Sequence, residues 1–283
     1  MLVHDVPLLQ CPESGAPLRF HGTNLEGRLQ DGVLVCDHTN EAWAVGLGVA
    51  NLVRAEWRTG SDAAAAAAQD AAPKFLDPVF ALSSVLMGAG RAATLRDRVA
   101  QALRLTGLGR SRPARVLEIN VGTGAHIEPG FDRAGRGADL QWWGVSLSPG
   151  ALAACASRIT RNIGWEQRVS LLLADAHHLP FVTGAFDRVL MVGAVDCLRA
   201  PRQALAEIAR VCALDGEVVL IDKHVDPGRP LHPLGRVVVA SLGRAASQPQ
   251  QPPTPFLPPG CRSIEVEAFS PAHYLLRFQP PRR

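Results

Sequence analysis

The stretch that decides the fold is Val116-Leu117-Glu118-Ile119-Asn120-Val121-Gly122-Thr123-Gly124. It begins as an apolar run that contains one carboxylate, which predicts a buried strand, and it continues into a turn that contains two glycines. Glycine lacks a Cβ atom and accepts positive φ angles, so the backbone of such a turn can approach a ligand closely. The stretch therefore predicts a nucleotide-like ligand at this turn. A tight strand-to-helix turn without a ligand is the alternative.

Strand-like and helix-like segments alternate along the chain from residue 114 onward. Residues 149–163 and 201–212 are predicted helices, and Ser148 precedes the first of them as an N-cap. This alternation favours a doubly wound α/β fold, a mostly parallel sheet with helices on both faces. The predicted strands are 115–119, 142–146, 171–173, 187–192, 218–221, 264–269 and 274–278.

Two further positions suit a nucleotide-like ligand. Ser146 and Leu147 follow the second predicted strand, where nucleotide-binding sheets usually place an Asp or Glu that accepts hydrogen bonds from the ribose hydroxyls. Asp175 and Ala176 follow the third predicted strand. An acidic side chain there can accept a hydrogen bond from an adenine amino group.

In combination these motifs resemble the class I S-adenosylmethionine-dependent methyltransferases, specifically the small-molecule type. The resemblance covers about residues 75–222 and includes Leu179-Pro180-Phe181 after the Asp-Ala pair and Phe186-Asp187 at the fourth strand. It implies a Rossmann-like fold and S-adenosylmethionine as the cofactor. The first strand and turn would then surround the methionine part, the second strand end the ribose and the third the adenine. The cofactor-binding residues that it implies are Glu118, Asn120, Gly122, Gly124, Ser146, Leu147, Asp175, Ala176, His177 and Gly193.

The sequence departs from the family pattern at two of these positions. Asn120 stands where the family turn has its first glycine, and Asn is among the few other residues that tolerate positive φ, so we expect the turn to be kept. Ser146 replaces the ribose-binding carboxylate with a single hydroxyl. A lost charge-assisted hydrogen bond is worth roughly 1.5–3 kcal/mol, which would lower cofactor affinity about ten- to a hundredfold. We therefore expect weak binding or a compensating contact.

Catalytic residues are hard to identify, because methyl transfer from a sulfonium depends mainly on alignment. A protein base is required only when the nucleophile carries a proton. The candidates are Asp196 beyond the fourth strand, His126 after the glycine turn and His224 after the fifth strand. Structural roles are the alternative for all three, a helix cap or solvated carboxylate for Asp196 and a hydrogen-bonded or surface imidazole for the two histidines.

The chain is expected to have three parts. Residues 1–56 form a small β module, residues 57–73 an Ala-rich linker or exposed helix, and residues 74–283 the methyltransferase domain with a Pro-rich loop at 248–260. Two helices are predicted within residues 74–105. Their side chains Phe75, Phe80 and Met87 are candidates for an acceptor pocket, with ordinary core packing as the alternative.

The amino-terminal module resembles the zinc ribbon that precedes the catalytic domain in certain methyltransferases, including ribosomal RNA guanine methyltransferases. A structural zinc site needs four ligands, usually in Cys or Cys/His pairs. Cys11 and Cys36 each lack the second ligand of a pair, because Ser14 and Thr39 stand in those places. We therefore predict a degenerate ribbon held by its apolar residues, and no metal site.

Composition excludes several classes of protein. The 283 residues contain no run near the ~18 apolar residues of a membrane helix, and their first ten lack the pattern of a secretory signal, so we expect a cytoplasmic protein. The net charge is only +3 and the arginines form no dense stripe, which argues against nucleic-acid binding. Six unevenly spaced cysteines do not form a disulfide framework.

The sequence thus predicts a methyltransferase that acts on a small, apolar or aromatic acceptor of the natural-product type. A ribosomal RNA methyltransferase is one alternative, although it requires a basic face that the sequence lacks. The other alternative is a protein that kept the fold without methyl transfer and binds a ligand or a partner. Asn120 and Ser146 support this alternative, because they depart from the family pattern. The acceptor atom and the oligomeric state stay open.

Overall fold

The computed structural model describes residues 1–86, 88, 90–224, 233 and 251–282, and its centre is one mixed β-sheet. Within those residues the strands are β1 (Leu18–Leu25), β2 (Arg28–Cys36), β3 (Ala42–Gly46), β4 (Val49–Asn51), β5 (Ala114–Ile119), β6 (Leu140–Ser146), β7 (Val169–Leu173), β8 (Phe186–Val192), β9 (Cys212–Lys223), β10 (Arg262–Ser270) and β11 (His273–Gln279). The helices are α1 (Gly60–Ala71), α2 (Leu76–Leu86), α3 (Ala92–Ala102), α4 (Ile127–Ala134), α5 (Pro149–Thr160) and α6 (Pro201–Val211).

The strands follow the order β1-β2-β3-β4-β7-β6-β5-β8-β9-β11-β10 across the sheet. The central strands from β7 to β9 are parallel, whereas β11 is antiparallel to both β9 and β10. Chain connections between parallel neighbours require crossovers, and helices α4, α5 and α6 provide them. The doubly wound α/β prediction is confirmed.

Both faces of the sheet are buried. Adjacent residues of β6 show this, because Trp142 packs with α3, α4 and α5 on one face while Trp143 packs with α6 and the amino-terminal residues on the other. Both indoles are almost fully inaccessible. Successive side chains of a strand point to opposite faces, so the apolar runs of the sequence correspond to a two-sided core.

The amino-terminal strands continue the central sheet. β1 to β4 form an antiparallel meander, and β4 then pairs in parallel with β7 through Ala50 and Leu172. Cys11 and Cys36 are buried in the same core, and Ser14 Oγ lies 3.3 Å from Cys36 Sγ. A separate module that ends at residue 56 stays a prediction, and so does its resemblance to a zinc ribbon.

The predicted Pro-rich loop lies partly outside the described residues. Residues 248–250 and the predicted pocket residue Met87 are not among them. Within 251–260 the regular structure is a single 3-10 turn at Thr254–Phe256. Among the helices that are described, none has the length and apolar character that a membrane crossing demands.

Candidate functional site

The candidate site lies at the carboxyl edge of the sheet between β5 and β8. The chain leaves β5 toward β6 on one side and returns to form β8 on the other, so the loops after these two strands diverge and leave a crevice. The residues after β5 are the predicted glycine turn, and Gly193 follows β8. This is the place where doubly wound sheets bind their ligands.

The glycine turn has the conformation that the sequence predicts. Asn120 has a φ of 59°, Gly122 of 55° and Gly124 of 73°. A Cβ atom at Gly124 would lie 2.6 Å from Cys155 Sγ, so this position also requires glycine for its packing. Asn120 thus adopts the positive φ that the sequence predicts for it.

Helix α1 lies across the carboxyl edge and is held at both ends. At its start, Ser61 Oγ donates to the carbonyl of Cys197 at 2.8 Å. At its end, Asp70 Oδ1 accepts from Ser148 Oγ at 2.5 Å and from the Gly150 amide at 2.8 Å. Of the two alternatives for this segment, the helix is the one that the structure has, and the sequence did not indicate that this helix covers the site.

A narrow cavity of about 70 Å³ lies beneath α1. Ala65, Ala66 and Gln69 form its roof, and their small or polar side chains leave space above the sheet. The predicted residues on its walls are Asn120, Ser146, Leu147, Asp175, Ala176 and Gly193. The three strand ends that were expected to contact one ligand therefore do meet at one cavity.

Asp175 is engaged with the protein itself. Its fully buried carboxylate accepts from the His177 amide at 2.9 Å, from His177 Nδ1 at 2.7 Å and from the Arg199 guanidinium at 2.6 Å. Burial by itself raises the pKa of this carboxyl, but the hydrogen bonds from His177 and Arg199 outweigh it and hold the pKa well below its usual range. The carboxylate is thus ionised and fully bonded.

Asp62 of α1 extends this network. Its carboxylate accepts from Arg199 at 2.5 Å, so Arg199 bridges the roof helix and Asp175. Asp62, Asp175 and His177 are also the one group of possible metal-ligating side chains within the described residues. The guanidinium of Arg199 already supplies the positive charge between the two carboxylates.

A second and wider cleft of about 420 Å³ adjoins the narrow cavity, and both share Gln69, Asn120 and Gly193 as wall residues. Its walls come from α1, α2, α3, the glycine turn, the ends of β8, β9 and β10 and the start of β11. The apolar side chains among them are Phe75, Leu76, Val79, Phe80, Leu95, Val99, Val121, Val192, Ile221 and Phe269. Two of the predicted pocket residues, Phe75 and Phe80, therefore do line a cleft.

Glu118 does not reach either cavity. Its buried carboxylate accepts from Trp142 Nε1 at 3.0 Å and bonds His126 Nδ1 at 2.6 Å. The predicted direct contact between Glu118 and the cofactor is therefore wrong, because both carboxylate oxygens are bonded in the core beneath the turn. His126 stands between Glu118 and the wide cleft, and it lines that cleft.

The other two catalytic candidates lie off the walls of both cavities. Asp196 bonds Lys223 Nζ at 3.3 Å, and its own amide donates to the buried carboxylate of Asp222. Burial and the neighbouring Asp196 raise the pKa of Asp222 to about 6. His224 packs against Tyr274, and its amide donates to the Ala272 carbonyl. Asp196 and His224 are thus placed beside the site.

Two other implied cofactor residues also lie behind the cavity walls. His177 is nearly inaccessible and its Nε2 accepts from the Ala200 amide at 3.2 Å. Gly124 is packed against Cys155. These two residues shape the site, whereas Asn120, Gly122, Ser146, Leu147, Asp175, Ala176 and Gly193 line it.

Several site residues were not found from the sequence. Gln69, Arg96, Lys223 and His273 line the wide cleft, and Arg199 bonds Asp175. They come from elements that are distant in sequence from the glycine turn. No local motif marks them, so only the fold brings them together.

Residues 117–220 match the protein-family model described as a methyltransferase domain. This segment is therefore similar to a methyltransferase domain. It contains β5 to β8, most of β9 and the connecting helices, that is, the sheet and loops that form the site. Helices α1 to α3, which cover the site, lie outside the matched segment.

Relatives and a solved structure are consistent with this domain. The chain is 31% identical over 121 residues to phosphatidylethanolamine N-methyltransferase of Cereibacter sphaeroides, which covers 43% of this chain and 56% of the relative. It is 28% identical over 113 residues to norajmaline N-methyltransferase of Rauvolfia serpentina, covering 39% of this chain and 36% of the relative. The chain thus spans about half or less of these relatives. The crystal structure of the (4+2)-cyclase SpnF superposes with a TM-score of 0.52 at 18% identity and covers 79% of this chain and 97% of SpnF, a likeness of fold.

The described site has features that suit S-adenosylmethionine, the cofactor of this kind of domain. The turn from Asn120 to Gly124 leaves its backbone open to a ligand. Two buried polar atoms at its edge, Gln69 Oε1 and His126 Nε2, have no hydrogen-bond partner among the described residues. Buried polar atoms are nearly always paired, so a polar ligand or an ordered water can serve as the partner of these two atoms.

Proposed function

We propose that this protein is an S-adenosylmethionine-dependent methyltransferase that acts on a small apolar or aromatic acceptor. The observation that carries the proposal is the pair of adjoining cavities at the edge of the sheet. The narrow one lies at the predicted nucleoside positions, and the wide one has mostly apolar walls. A cofactor and an acceptor placed in them would meet at the shared residues Asn120 and Gly193.

The chain's own residues would hold the two parts of the cofactor at different walls. Asn120 and Gly122 border the methionine part, while Ser146, Leu147 and Ala176 border the nucleoside. When bound, the cofactor supplies a methyl group on a positively charged sulfur, which is a good leaving group. The protein then has to exclude water and align the acceptor, which can provide most of the rate enhancement.

Ser146 keeps a free donor for the ribose. Its Oγ accepts from the Ser148 amide at 3.0 Å, Ser146 lines the cavity, and its hydroxyl proton is available to donate to a ligand. The segment after β6 also has a carboxylate beside it, because Asp70 of α1 bonds Ser148 and Gly150. The Ser146 hydroxyl is therefore the group that would contact the ribose, and the Asp70 bonds hold the end of α1 over it.

The nucleoside end requires a shift of α1. Ligand pockets usually measure about 300–1,000 Å³, and the cavity beneath α1 measures about 70 Å³. Helix α1 is held mainly by polar contacts at its ends and presents alanines to the cavity. A small outward movement of this helix would enlarge the cavity while α1 still covers it.

The apolar walls support a small apolar or aromatic acceptor. Phe75, which directly precedes α2, and Val79 and Phe80 of α2 line the same cleft as the glycine turn. The relatives are named for N-methylation of a phospholipid and of an alkaloid, so the acceptors of similar domains vary widely. Phe80 and its neighbours therefore define the chemical character of the acceptor, and the acceptor's identity has to be measured.

The test is a calorimetric titration of purified, ligand-free protein with S-adenosylhomocysteine, followed by an acceptor screen with a labelled methyl donor. Micromolar binding and label transfer to an apolar or aromatic acceptor are expected. Binding without transfer to any acceptor would favour the second candidate, and absence of binding at millimolar concentration would contradict the proposal.

The second candidate is a protein of this fold that binds a ligand without transferring a methyl group. The observation in its favour is Asp175, whose carboxylate is already bonded by Arg199 and His177. The (4+2)-cyclase SpnF shares the fold, which shows that the fold does not fix the reaction.

A further inference from the structure

A polar cavity of about 590 Å³ lies between α3, the end of α4 and strands β10 and β11. This arginine cavity has the charged wall residues Arg98, Arg104, Arg133, Arg277 and Glu267. Of its described wall residues only Phe269 also borders the wide cleft, so the arginine cavity is distinct from the candidate site. Its volume lies in the range of about 300–1,000 Å³ that small-molecule sites usually have.

Arg277 of β11 is a fixed cation in the wall of this cavity. Only 7% of its side chain is exposed. One terminal nitrogen donates to Glu265 at 2.7 Å, and the other donates to the carbonyl of Ala102 at 3.0 Å. A group that is already held in one orientation loses little conformational freedom when a ligand binds beside it.

Arg104 follows the end of α3 in a left-handed conformation, with a φ of 50°. Glycine is the usual residue at this position after a helix, and a larger side chain there is uncommon and strained. The guanidinium of Arg104 donates to Glu217 at 2.9 Å and to Glu265 at 3.2 Å. The chain thus has an arginine at the cavity where its backbone conformation favours glycine.

The other two arginines have N–H groups available for a ligand. Arg98 is exposed, packs 4.5 Å from the centre of the Phe269 ring and donates one terminal nitrogen to the Phe269 carbonyl. A guanidinium has five N–H groups, so most of those of Arg98 stay free. Arg133 of α4 is exposed and forms neither a hydrogen bond nor an ion pair within the part of the chain that the structure describes.

Neighbouring carboxylates do not neutralise these arginines. The glutamates within 4 Å of them are Glu217, Glu265 and Glu267. Glu217 also lies 3.7 Å from a fifth guanidinium, that of Arg188. Five arginines thus share three carboxylates, which leaves an excess of two positive charges. Two aspartates, one on α3 and one on α4, line a neighbouring hollow instead.

The chemistry of the walls indicates the class of ligand. Guanidinium groups bind phosphate and carboxylate oxygens through paired hydrogen bonds. Ala102, Phe269 and Leu275 add apolar surface for an organic part of the ligand. We propose that the arginine cavity is a second ligand site, for a small organic anion that carries two or more negative charges on phosphoryl or carboxyl groups.

The experiment is calorimetry of the full chain with pyrophosphate and, separately, with citrate, at low salt. The variants are Arg104→Gly and Arg133→Gln. The first removes a guanidinium and places glycine at a positive φ, which glycine adopts readily, and the second removes an exposed cation, so both are expected to fold. Arg136→Gln is the matched control, because this exposed arginine near Arg133 is outside the cavity walls. Thermal melting checks each variant.

The wild type is expected to bind one anion per chain, and the tighter of the two probes identifies phosphoryl or carboxyl groups as the preferred chemistry. Arg104→Gly and Arg133→Gln should each weaken binding about tenfold or more, whereas Arg136→Gln should stay within about twofold of the wild type. Similar affinities of all three variants would overturn the proposal, and so would an unchanged Arg133→Gln or a wild type that binds neither probe at millimolar concentration. Displacement of the anion by S-adenosylhomocysteine would also overturn it, because the anion would then occupy the candidate site.

Discussion

The two ends of the site differ in how far their polar groups are already satisfied. At the narrow end, Asp175 is bonded by His177 and Arg199, and Arg199 is bonded by Asp62 of the covering helix. At the wide end, His126 and Gln69 line an open cleft, and each has one buried polar atom without a partner among the described residues. The polar groups at the narrow end are thus bonded within the protein, whereas two polar groups at the wide end still lack a partner.

This difference indicates where binding free energy is gained and where it is spent. At the wide end a ligand would pair buried atoms that have no partner, which is favourable because an unsatisfied buried group costs about 1–3 kcal/mol. At the narrow end a nucleoside must first displace α1. The free energy gained at the wide end would therefore offset the cost of shifting α1 at the narrow end.

The largest expected effect is on stability at the closed end. Asp175→Asn removes the charge that pairs with buried Arg199, and breaking a buried ion pair costs about 3–5 kcal/mol. Urea unfolding of the variant and of the exposed control Asp215→Asn would measure it. Because the pKa of Asp175 is depressed, the difference should be complete above about pH 4 and shrink on further acidification. Equal stability of the two variants would contradict the claim that the ion pair between Asp175 and Arg199 stabilises this end of the site.

The second prediction concerns His273 at the wide end. Burial, followed by the positive charges of Lys223 and Arg98, lowers the pKa of His273 from 6.5 to about 4. The unfolded chain therefore binds a proton at a higher pH than the folded protein, and stability falls as the pH drops from about 6.5 to about 4. The loss is on the order of 3 kcal/mol. His273→Gln should reduce this slope in urea titrations, and parallel curves would contradict the assignment.

A smaller effect is expected when the end of α1 is released. Asp70→Ala removes the bonds to Ser148 Oγ and to the Gly150 amide, and because Asp70 is exposed the loss of stability should be about 1 kcal/mol. A helix that opens more easily should bind S-adenosylhomocysteine a few times more tightly, since less free energy is spent on the shift. Weaker binding in calorimetry would instead show that Asp70 contacts the ligand.

The central sheet and the glycine turn could be predicted from the sequence because their signals are local. The β5 strand and the positive φ of Asn120 follow from residues that are adjacent in the chain. The covering helix could not be predicted as part of the site. A run of alanines from Ala63 to Ala68 has no amphipathic pattern, and its position depends on contacts with residues 80 or more positions away.

Individual side-chain roles show the same limit. The family pattern places a carboxylate at Glu118, but the sequence does not reveal that Trp142 and His126 take up both of its oxygens. The position of His126 after the turn makes it a candidate, but only the fold brings it to its hydrogen-bond partner Glu118. Arg199 lies 24 residues from Asp175, with no motif that joins them.

The central claim is that the nucleoside binds beneath α1, and a pair of matched leucine variants tests it most directly. Ala66 lies in the roof of the narrow cavity, whereas Ala64 is on the same helix and exposed. Calorimetric titration with S-adenosylhomocysteine should show that Ala66→Leu weakens binding at least about a hundredfold, or by about 2.8 kcal/mol, while Ala64→Leu binds like the wild type. Equal affinity of both variants would place the nucleoside elsewhere and contradict the account.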